Sequence, residues 1–520
     1  MTAVLNSYCL HGLSALPVQV EVEVARGMPH FSVIGMAGTS VQESKDRVRC
    51  AVRASGFEFP MTRKVVNLAP AELTKSGSHF DLAIALGMLV EVGVVEAVPE
   101  DVMLIGELGL EGGVKSVSGV LPGVIFAKEQ GVKTVILPAG NLEEASLMDG
   151  MQIVPVKSLR EVVAWLQGDG EMMMKVARRC EGLACVFGED GALSGCSILE
   201  DRGCDWGFGD ISGHAAAKRA LLIAAAGGHH VLMSGPPGSG KSLLARAFPS
   251  ILPPLSRKEL LEVLRIYSIA GRSVNHAGMS RPFRKIHHTC SACGLIGGGA
   301  SLVPGEVSLA HRGVLFMDEF PEFPRATLEV LREPLEEREI SLRRGQKVSS
   351  FPCNFQLIAA MNPCPCGHYG DNERACVCAP FQIARYQGKL SGPLLDRIDL
   401  RVDVPRVPFD DLQGRGLESS AVMREMVLRA RRKQAKRFGA SGTNGVVLLN
   451  GQMSGSQVKK VRMSEAAENI LRDVTGKFAL SGRAVHRVIK VARTIADLEE
   501  DKEVELAHLL EALQYRVVPF

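Results

Sequence analysis

Lys241 and Ser242 end the octet Gly235-Pro236-Pro237-Gly238-Ser239-Gly240-Lys241-Ser242, and residues of these types at this spacing can hold a nucleoside triphosphate. The glycines let the backbone approach the phosphates, and successive N–H groups face the anion. Lys241 reaches the β- and γ-phosphates, and Ser242 ligates Mg2+. About 75 residues further on, the apolar run Gly313-Val-Leu-Phe-Met ends in Asp318-Glu319. Asp318 suits the hydrated Mg2+ of the same site, and Glu319 suits orienting or deprotonating an attacking water. An apolar run ending in two acids says little alone. Following a phosphate loop, it makes ATP hydrolysis the default chemistry.

A second constellation is Cys364-Pro-Cys366 followed, nine residues later, by Cys376-Val-Cys378. Four thiolates so spaced can surround Zn2+ tetrahedrally, and the Gly- and Pro-rich loop has too few apolar residues to order itself otherwise. Two reactive thiol pairs are the alternative. Cys180, Cys185, Cys196 and Cys204 lack paired spacing and read as incidental thiols in a linker.

These groups need elements to aim them. Residues 231–233 read as the end of a buried parallel strand and 242–247 as the first turns of a helix, so the octet is a strand-to-helix turn. Residues 355–361 form another buried strand, which ends in the amide of Asn362. An Ala-rich helix capped at 210–213 leads into the phosphate loop. Residues 281–311, with Arg281, Arg284, Lys285, His287, His288 and a Gly297-Gly-Gly run, read as a basic, glycine-rich insertion. An amphipathic helix is expected over 323–337. A hairpin over 339–351 turns at Gly345, with Arg343, Arg344 and Lys347 at its tip. Those cations suit phosphates or simply a solvated turn. Helices over 422–437, 463–474, 481–498 and 504–515 close the chain. The first carries Arg424, Arg429, Arg431, Arg432, Lys433, Lys436 and Arg437, a phosphate-binding face or a solvated one.

With 520 residues the chain has room for roughly three to four domains. No run of about 18 apolar residues exists, so no membrane span is expected. Residues 1–10 lack the sections of a signal peptide. Sixty basic and 57 acidic residues leave a net charge of +3, so any basic surface is local. Thirteen cysteines clustered late in a long chain point to a reducing, cytoplasmic setting with some thiols used for metal.

In the first block, Val18-Gln-Val-Glu-Val-Glu-Val alternates as a half-buried strand does, and residues 31–34 and 65–70 are further strands. Residues 42–54, with Arg47, Arg49 and Arg53, and the apolar run 81–90 are helices. This α+β block resembles the Lon protease proteolytic-domain fold, most clearly through Ile105-Gly-Glu-Leu-Gly-Leu-Glu-Gly and Gly131-Val-Lys-Thr-Val-Ile-Leu-Pro. Lon-type catalysis needs a serine activated by a lysine. The resemblance puts His79 in the serine's place, within Lys75-Ser-Gly-Ser-His-Phe, and Gly123 in the lysine's. The block is therefore expected to be a scaffold or binding domain, with Ser76 and Ser78 merely nearby.

The segments H-H-x-x-S-x-x-x-L-I-G-G-G, P-G-E-V-S-L-A-H-R-G-V-L-F-M-D-E, A-A-M-N-P-C-P-C-G and S-G-P-L-L-D-R-I-D-L closely resemble the ComM/YifB group of magnesium-chelatase-like AAA+ ATPases. The likeness covers nearly the whole chain and departs at Cys290 and Cys293, where the family more often has small residues. It implies an α/β fold: an AAA+ P-loop core, a parallel sheet with helices on both faces, followed by a helical lid and preceded by the Lon-like domain. The divisions are 1–167 for the Lon-like domain, 168–204 for the linker, 205–403 for the core and 404–520 for the lid. The resemblance makes Asn362 sensor 1, Arg397 an arginine finger acting on the neighbouring subunit's ATP, and Arg483 sensor 2. Arg397 paired with Asp396 or Asp399 is the alternative. The hairpin becomes a pre-sensor hairpin facing a pore. A homo-oligomer, most often a hexamer, follows, moving branched or single-stranded DNA in branch migration during natural transformation. A chelatase-like motor and a protein-remodelling ATPase are the rival expectations.

Overall fold

The computed structural model describes residues 2–180, 207–272, 280–299, 302–345, 347–371, 373–407, 419–439, 448–478 and 480–517. The chain divides into two compact units. The first comprises residues 1–196, 260–278 and 343–351, and the second 197–259, 279–342 and 352–520.

In the first unit the alternating valines do what their spacing predicts. Val18, Val20 and Val22 are buried on one face of the Ser14–Ala25 strand. That strand pairs antiparallel with Ala3–His11 and with Arg63–Ala69, inside a seven-stranded sheet. The spatial order is His30–Ile34, Arg63–Ala69, Ser14–Ala25, Ala3–His11, Val102–Leu104, Thr134–Pro138, Gln152–Val156. Period-two alternation splits the core into two layers. Leu5 and Val22 lie in one, with the buried helix Asp81–Glu91, whereas Tyr8 lies in the other with the helix Val120–Glu129. The first helix comes so close to the sheet that a Cβ on Gly87 would stand 2.5 Å from Val22 Cγ2. The Gly170–Cys180 segment, expected as linker, is helical. Met172 and Val176, four residues apart on one face, are buried in the first of these layers. Cys185, Cys196 and Cys204 lie outside the described residues.

The positions matched to the Lon dyad are occupied by packed groups. His79 is buried and shares a 2.7 Å hydrogen bond with the Tyr8 carbonyl, and burial pushes its imidazole down to about 4. A Cβ on Gly123 would lie 2.4 Å from the Tyr8 ring, so no lysine fits there. Lys75 donates to the Pro70 carbonyl, and the Ser78 hydroxyl is bonded to Glu107. Arg47 is turned onto the buried Asp81 at 2.6 Å, and Arg49 pairs with Asp46. Two cations of that basic segment thus serve packing and surface pairing.

The second unit is built on a five-stranded, all-parallel sheet in the order Phe283–Ile286, Val314–Met317, Gln356–Met361, Val231–Ser234, Leu400–Asp403. Short, continuously apolar runs such as 231–233 and 314–317 become central strands because helices cover both faces of such a sheet. One part of the expected basic insertion is corrected here. Residues 283–286 form the outer strand of the sheet, pairing in parallel with Val314–Met317. Arg281 is buried, donating to the carbonyls of Pro253 and Arg312, and Arg284 is paired with Glu306 at 2.6 Å. The single amphipathic helix expected over 323–337 is two, Arg325–Glu329 and Arg332–Glu337. Pro334 lacks the N–H that a continuous helix would have bonded back across the break. The hairpin strands are Glu339–Arg344 and Lys347–Pro352, of which residues 343–351 fall in the first unit, and Gly345 takes the left-handed conformation at their turn, with Arg343 and Arg344 exposed.

Helices Ser420–Phe438, Glu465–Lys477, Gly482–Leu498 and Leu506–Val517 share one apolar core with the sheet and with the Ala-rich helix Ala215–Gly227. The basic helix is largely not a free phosphate-binding face. Arg424 donates to the Ser250 carbonyl, Arg431 to the Ala225 carbonyl at 2.6 Å, Arg437 binds Asp497, and Arg429 pairs with Glu500.

Candidate nucleotide-binding site

In a parallel sheet every strand delivers its C-terminal end to the same edge, and a ligand binds where the strand order reverses. The strand Val231–Ser234 lies between Gln356–Met361 and Leu400–Asp403, with Ser234 in register with Met361 and Asp403. The residues that follow these strand ends are Gly235, Asn362 and Val404, and those after the neighbouring strands are Asp318 and His287. Most of the chemistry foreseen from motifs thus collects at one edge because the strands end together.

The phosphate loop runs from Gly235 into the helix Lys241–Ala247. Gly238 and Gly240 have φ of 78° and 85°, which a side chain would strain and which a loop whose N–H groups face an anion requires. Gly235 has no room for a Cβ, which would lie 2.1 Å from the Val404 carbonyl oxygen. Lys241 lies within this loop, its Nζ 2.6 Å from the Gly235 carbonyl, 2.8 Å from that of Pro236 and 3.4 Å from Asn362 Oδ1. Burial pushes its ammonium down to about 8, opposed by the charge of Asp318. Ser242 donates to Asp318 Oδ2 at 2.9 Å. A hydroxyl and a carboxylate converging on one point are the hard oxygen donors that Mg2+ takes. Glu319 follows at φ 51°, a strained value for a residue other than glycine, with its side chain about half exposed.

Two residues that the sequence places only in a basic insertion join these acids. Lys285 Nζ is 3.6 Å from Asp318, and His288 Nδ1 is 3.0 Å from Glu319 Oε2, at ion-pair distance without hydrogen-bond alignment. Reading 283–286 as a strand would have found both, since they then fall at the end shared by the other site residues. A cavity of about 220 Å3 opens beside the loop, lined by Gly213, His214, Asp403, Arg406 and Val407 among others. It has the place and size for the base of a nucleotide.

Arg397 and Arg483 are gathered elsewhere. Arg397 is largely buried and donates to the carbonyls of Arg332 and Pro393 and to the carboxylate of Glu336. Arg483 lies 3.7 Å from that same carboxylate. The two carboxylates proposed as alternatives for Arg397 are engaged otherwise, Asp396 by Arg516 and Asp399 by Arg487. Among the described residues, no contact ties either arginine to the phosphate loop of its own chain.

The four cysteines of the loop after Asn362 come together. The sulfurs of Cys364, Cys366 and Cys376 are 3.3–3.7 Å apart, and Cys378 joins them within 4.8 Å. A tetrahedral zinc site with Zn–S of about 2.3 Å separates its sulfurs by about 3.8 Å, so the thiols fit the ion.

Comparison with known proteins places the chain in a family. The family described as magnesium chelatase, subunit ChlI, matches residues 207–412; subunit ChlI of Mg-chelatase matches 20–141; and the ChlI C-terminal family matches 417–516. The competence protein ComM of Haemophilus influenzae is 38% identical over 524 residues, covering 99% of this chain and 97% of that protein. YifB of Escherichia coli is 36% identical over 521 residues, with 99% and 97% covered. The chain belongs to the ComM/YifB family of magnesium-chelatase-like AAA+ proteins. Lon protease 2 of Bacillus subtilis is similar at 26% identity over 181 residues, 31% of this chain and 32% of that protein. The family's AAA+ module is that of an ATPase, and no described helix is long and apolar enough to cross a membrane.

Proposed function

We propose that the protein is an ATP-hydrolysing ring motor, a homo-oligomer taken as a hexamer, that drives branch migration of DNA recombination intermediates in natural transformation. The observation that carries the hydrolytic part is the convergence of Lys241, Ser242, Asp318, Glu319 and Asn362 at one strand edge, while Arg397 is held at Glu336. A site that lacks its arginine in one chain is completed by the next, which makes turnover depend on assembly.

ATP would lie with its phosphates in the loop. Ser242 and Asp318 would hold Mg2+, which would supply charge neutralisation at the phosphates. Asn362 and Glu319 orient a water for attack on the γ-phosphorus. Glu319 accepts its proton as the bond to the β-phosphate oxygen breaks and ADP leaves, while Arg397 of the neighbouring subunit stabilises the charge spread over the phosphoryl oxygens. The four thiolates would hold structural Zn2+, ordering a loop that has few apolar residues of its own.

The DNA part is supported by the name of the Haemophilus relative, a competence protein, and by the exposed Arg343 and Arg344 at the hairpin turn. Steady-state ATPase measured with and without a four-way DNA junction at about 100 mM salt tests it, because phosphate contacts are salt-sensitive. Stimulation by the junction is expected; turnover indifferent to any DNA sinks the DNA reading. The matching magnesium chelatase family favours a second reading, a chelatase-like or protein-remodelling motor, to which DNA-independent turnover would move the assignment.

A further inference from the structure

The four-cysteine loop is built against the nucleotide site. It begins two residues after Asn362, which lies 3.4 Å from Lys241. Gly367, at φ 85°, packs on the phosphate loop itself: a Cβ there would lie 2.6 Å from Pro237 Cδ and 3.8 Å from Asn362 Cγ. Pro363, Tyr369 and Gly370 line a cavity of about 260 Å3 together with Gly235 and Pro236. From the same loop, Asp371 is buried between His368 Nδ1 at 2.9 Å and Arg406 Nε at 3.4 Å, and Arg406 also reaches Glu373 at 3.1 Å. Arg406 in turn lines the cavity that suits the nucleotide's base. One loop thus braces the phosphate end of the site and anchors a residue at the base end.

Among the described residues the loop buries little apolar surface. Cys364 is its buried apolar anchor, whereas Tyr369, Val377 and the adjoining Phe381 are exposed, Val377 by 86%. Its ordering therefore depends on what joins the four thiols. We propose, resting on the nucleotide and zinc readings above, that metal at Cys364, Cys366, Cys376 and Cys378 and nucleotide at the phosphate loop strengthen each other's binding, with Asp371 and Arg406 as the positioning residues between them. Each ligand orders a surface the other needs, and such coupling is reciprocal by thermodynamic necessity.

The test uses the full chain, its zinc content measured by a chromogenic chelator and its nucleotide affinity by a fluorescent ATP analogue with Mg2+. Removing zinc, with the chelator then dialysed away, is expected to raise the nucleotide Kd about tenfold, and saturating nucleotide to tighten zinc by the same factor. Arg406→Gln and Asp371→Asn are expected to keep one zinc per chain yet lose the nucleotide's protection of it, with Arg406→Lys restoring part. A merely structural ion pair would not move that protection. Equal nucleotide affinity with and without zinc overturns the coupling. Should the zinc-free chain unfold, the variants decide, and undiminished protection in both overturns it. A chain that binds nucleotide but no zinc removes the metal reading, and one that binds zinc but no nucleotide removes the ATPase reading; either also ends the coupling.

Discussion

Arg487 donates through Nη1 to the backbone carbonyl of Arg397 at 2.8 Å, and with the same nitrogen it binds the carboxylate of Asp399. The helix Gly482–Leu498 therefore holds Arg397 by its main chain. His229 shares Asp399 at 3.2 Å, and its other ring nitrogen meets Thr494 at 2.8 Å, closing a buried network between this helix and the start of the phosphate-loop strand.

Arg487→Ala leaves Asp399 buried without its main counter-charge. Burial alone would raise the Asp399 carboxyl, but Arg487 and the His229 hydrogen bond outweigh it and hold the group far below the usual carboxylate range. Removing one partner of a buried pair costs about 3–5 kcal/mol; with Arg487 about a quarter exposed, the expected loss is roughly 2–4 kcal/mol. A depressed carboxyl contributes its stability above the unfolded value of about 3.9 and loses it as pH falls below that. The gap between wild type and variant in denaturant unfolding should therefore be full at neutral pH and shrink below about pH 4. A gap unchanged by acid would show that the lost stability comes from packing.

Nucleotide affinity should depend on the charge of Lys241. Its ammonium is pushed down to about 8 by burial in the ligand-free loop, and bound phosphates favour the protonated form. Binding is then strongest below about pH 8 and takes up a proton above it, so Kd should rise by up to tenfold per pH unit through the alkaline range. Lys241→Arg, charged throughout, is expected to bind more weakly but with a flat profile. A wild-type profile as flat as that of the variant would refute the assignment.

Much of this site is written in the sequence, because a phosphate loop and an acid-ended strand are short motifs whose geometry is local. Asn362 and the cysteines were equally legible, since each directly follows a buried strand or sits at a metal-ligand spacing. What escaped depended on tertiary pairing. Residues 283–286 look basic and loop-like because Arg284 and Lys285 point to partners, Glu306 and Asp318, that only the sheet brings near. The charged helix 422–437 reads as a phosphate-binding face or a solvated one for the same reason: Ala225, Ser250 and Asp497, which absorb Arg431, Arg424 and Arg437, are distant in the chain. Glu336, shared by Arg397 and Arg483, carries no motif at all.

Gly87 tests the packing of the first unit. Its place opposite Leu5 and Val22 leaves no room for a methyl group, whose carbon would come within 2.5–2.8 Å of their side chains. Gly87→Ala is thus expected to destabilise by about 1–3 kcal/mol through overpacking, despite alanine's better helix propensity. Thermal unfolding followed by near-UV circular dichroism gives the shift. Stabilisation by alanine would mean that the helix and sheet can separate without loss.

Arg397 acting on a neighbour can be distinguished from Arg397 acting at home by mixing defective chains. Lys241→Ala removes the ammonium from a chain's own loop, and Arg397→Ala removes the arginine offered to the next; each alone is expected to lower turnover by about 10³-fold. In a mixed ring some interfaces pair an intact loop with an intact arginine, so two inactive proteins should together regain a measurable fraction of wild-type ATPase. If both residues served the same chain's site, every site in the mixture would lack one of them and no activity would return. Glu336→Gln adds a second readout. It removes the charge of the carboxylate shared by Arg397 and Arg483; if those arginines act at the transition state while the loop holds the nucleotide, a lowered kcat with unchanged nucleotide Kd is expected.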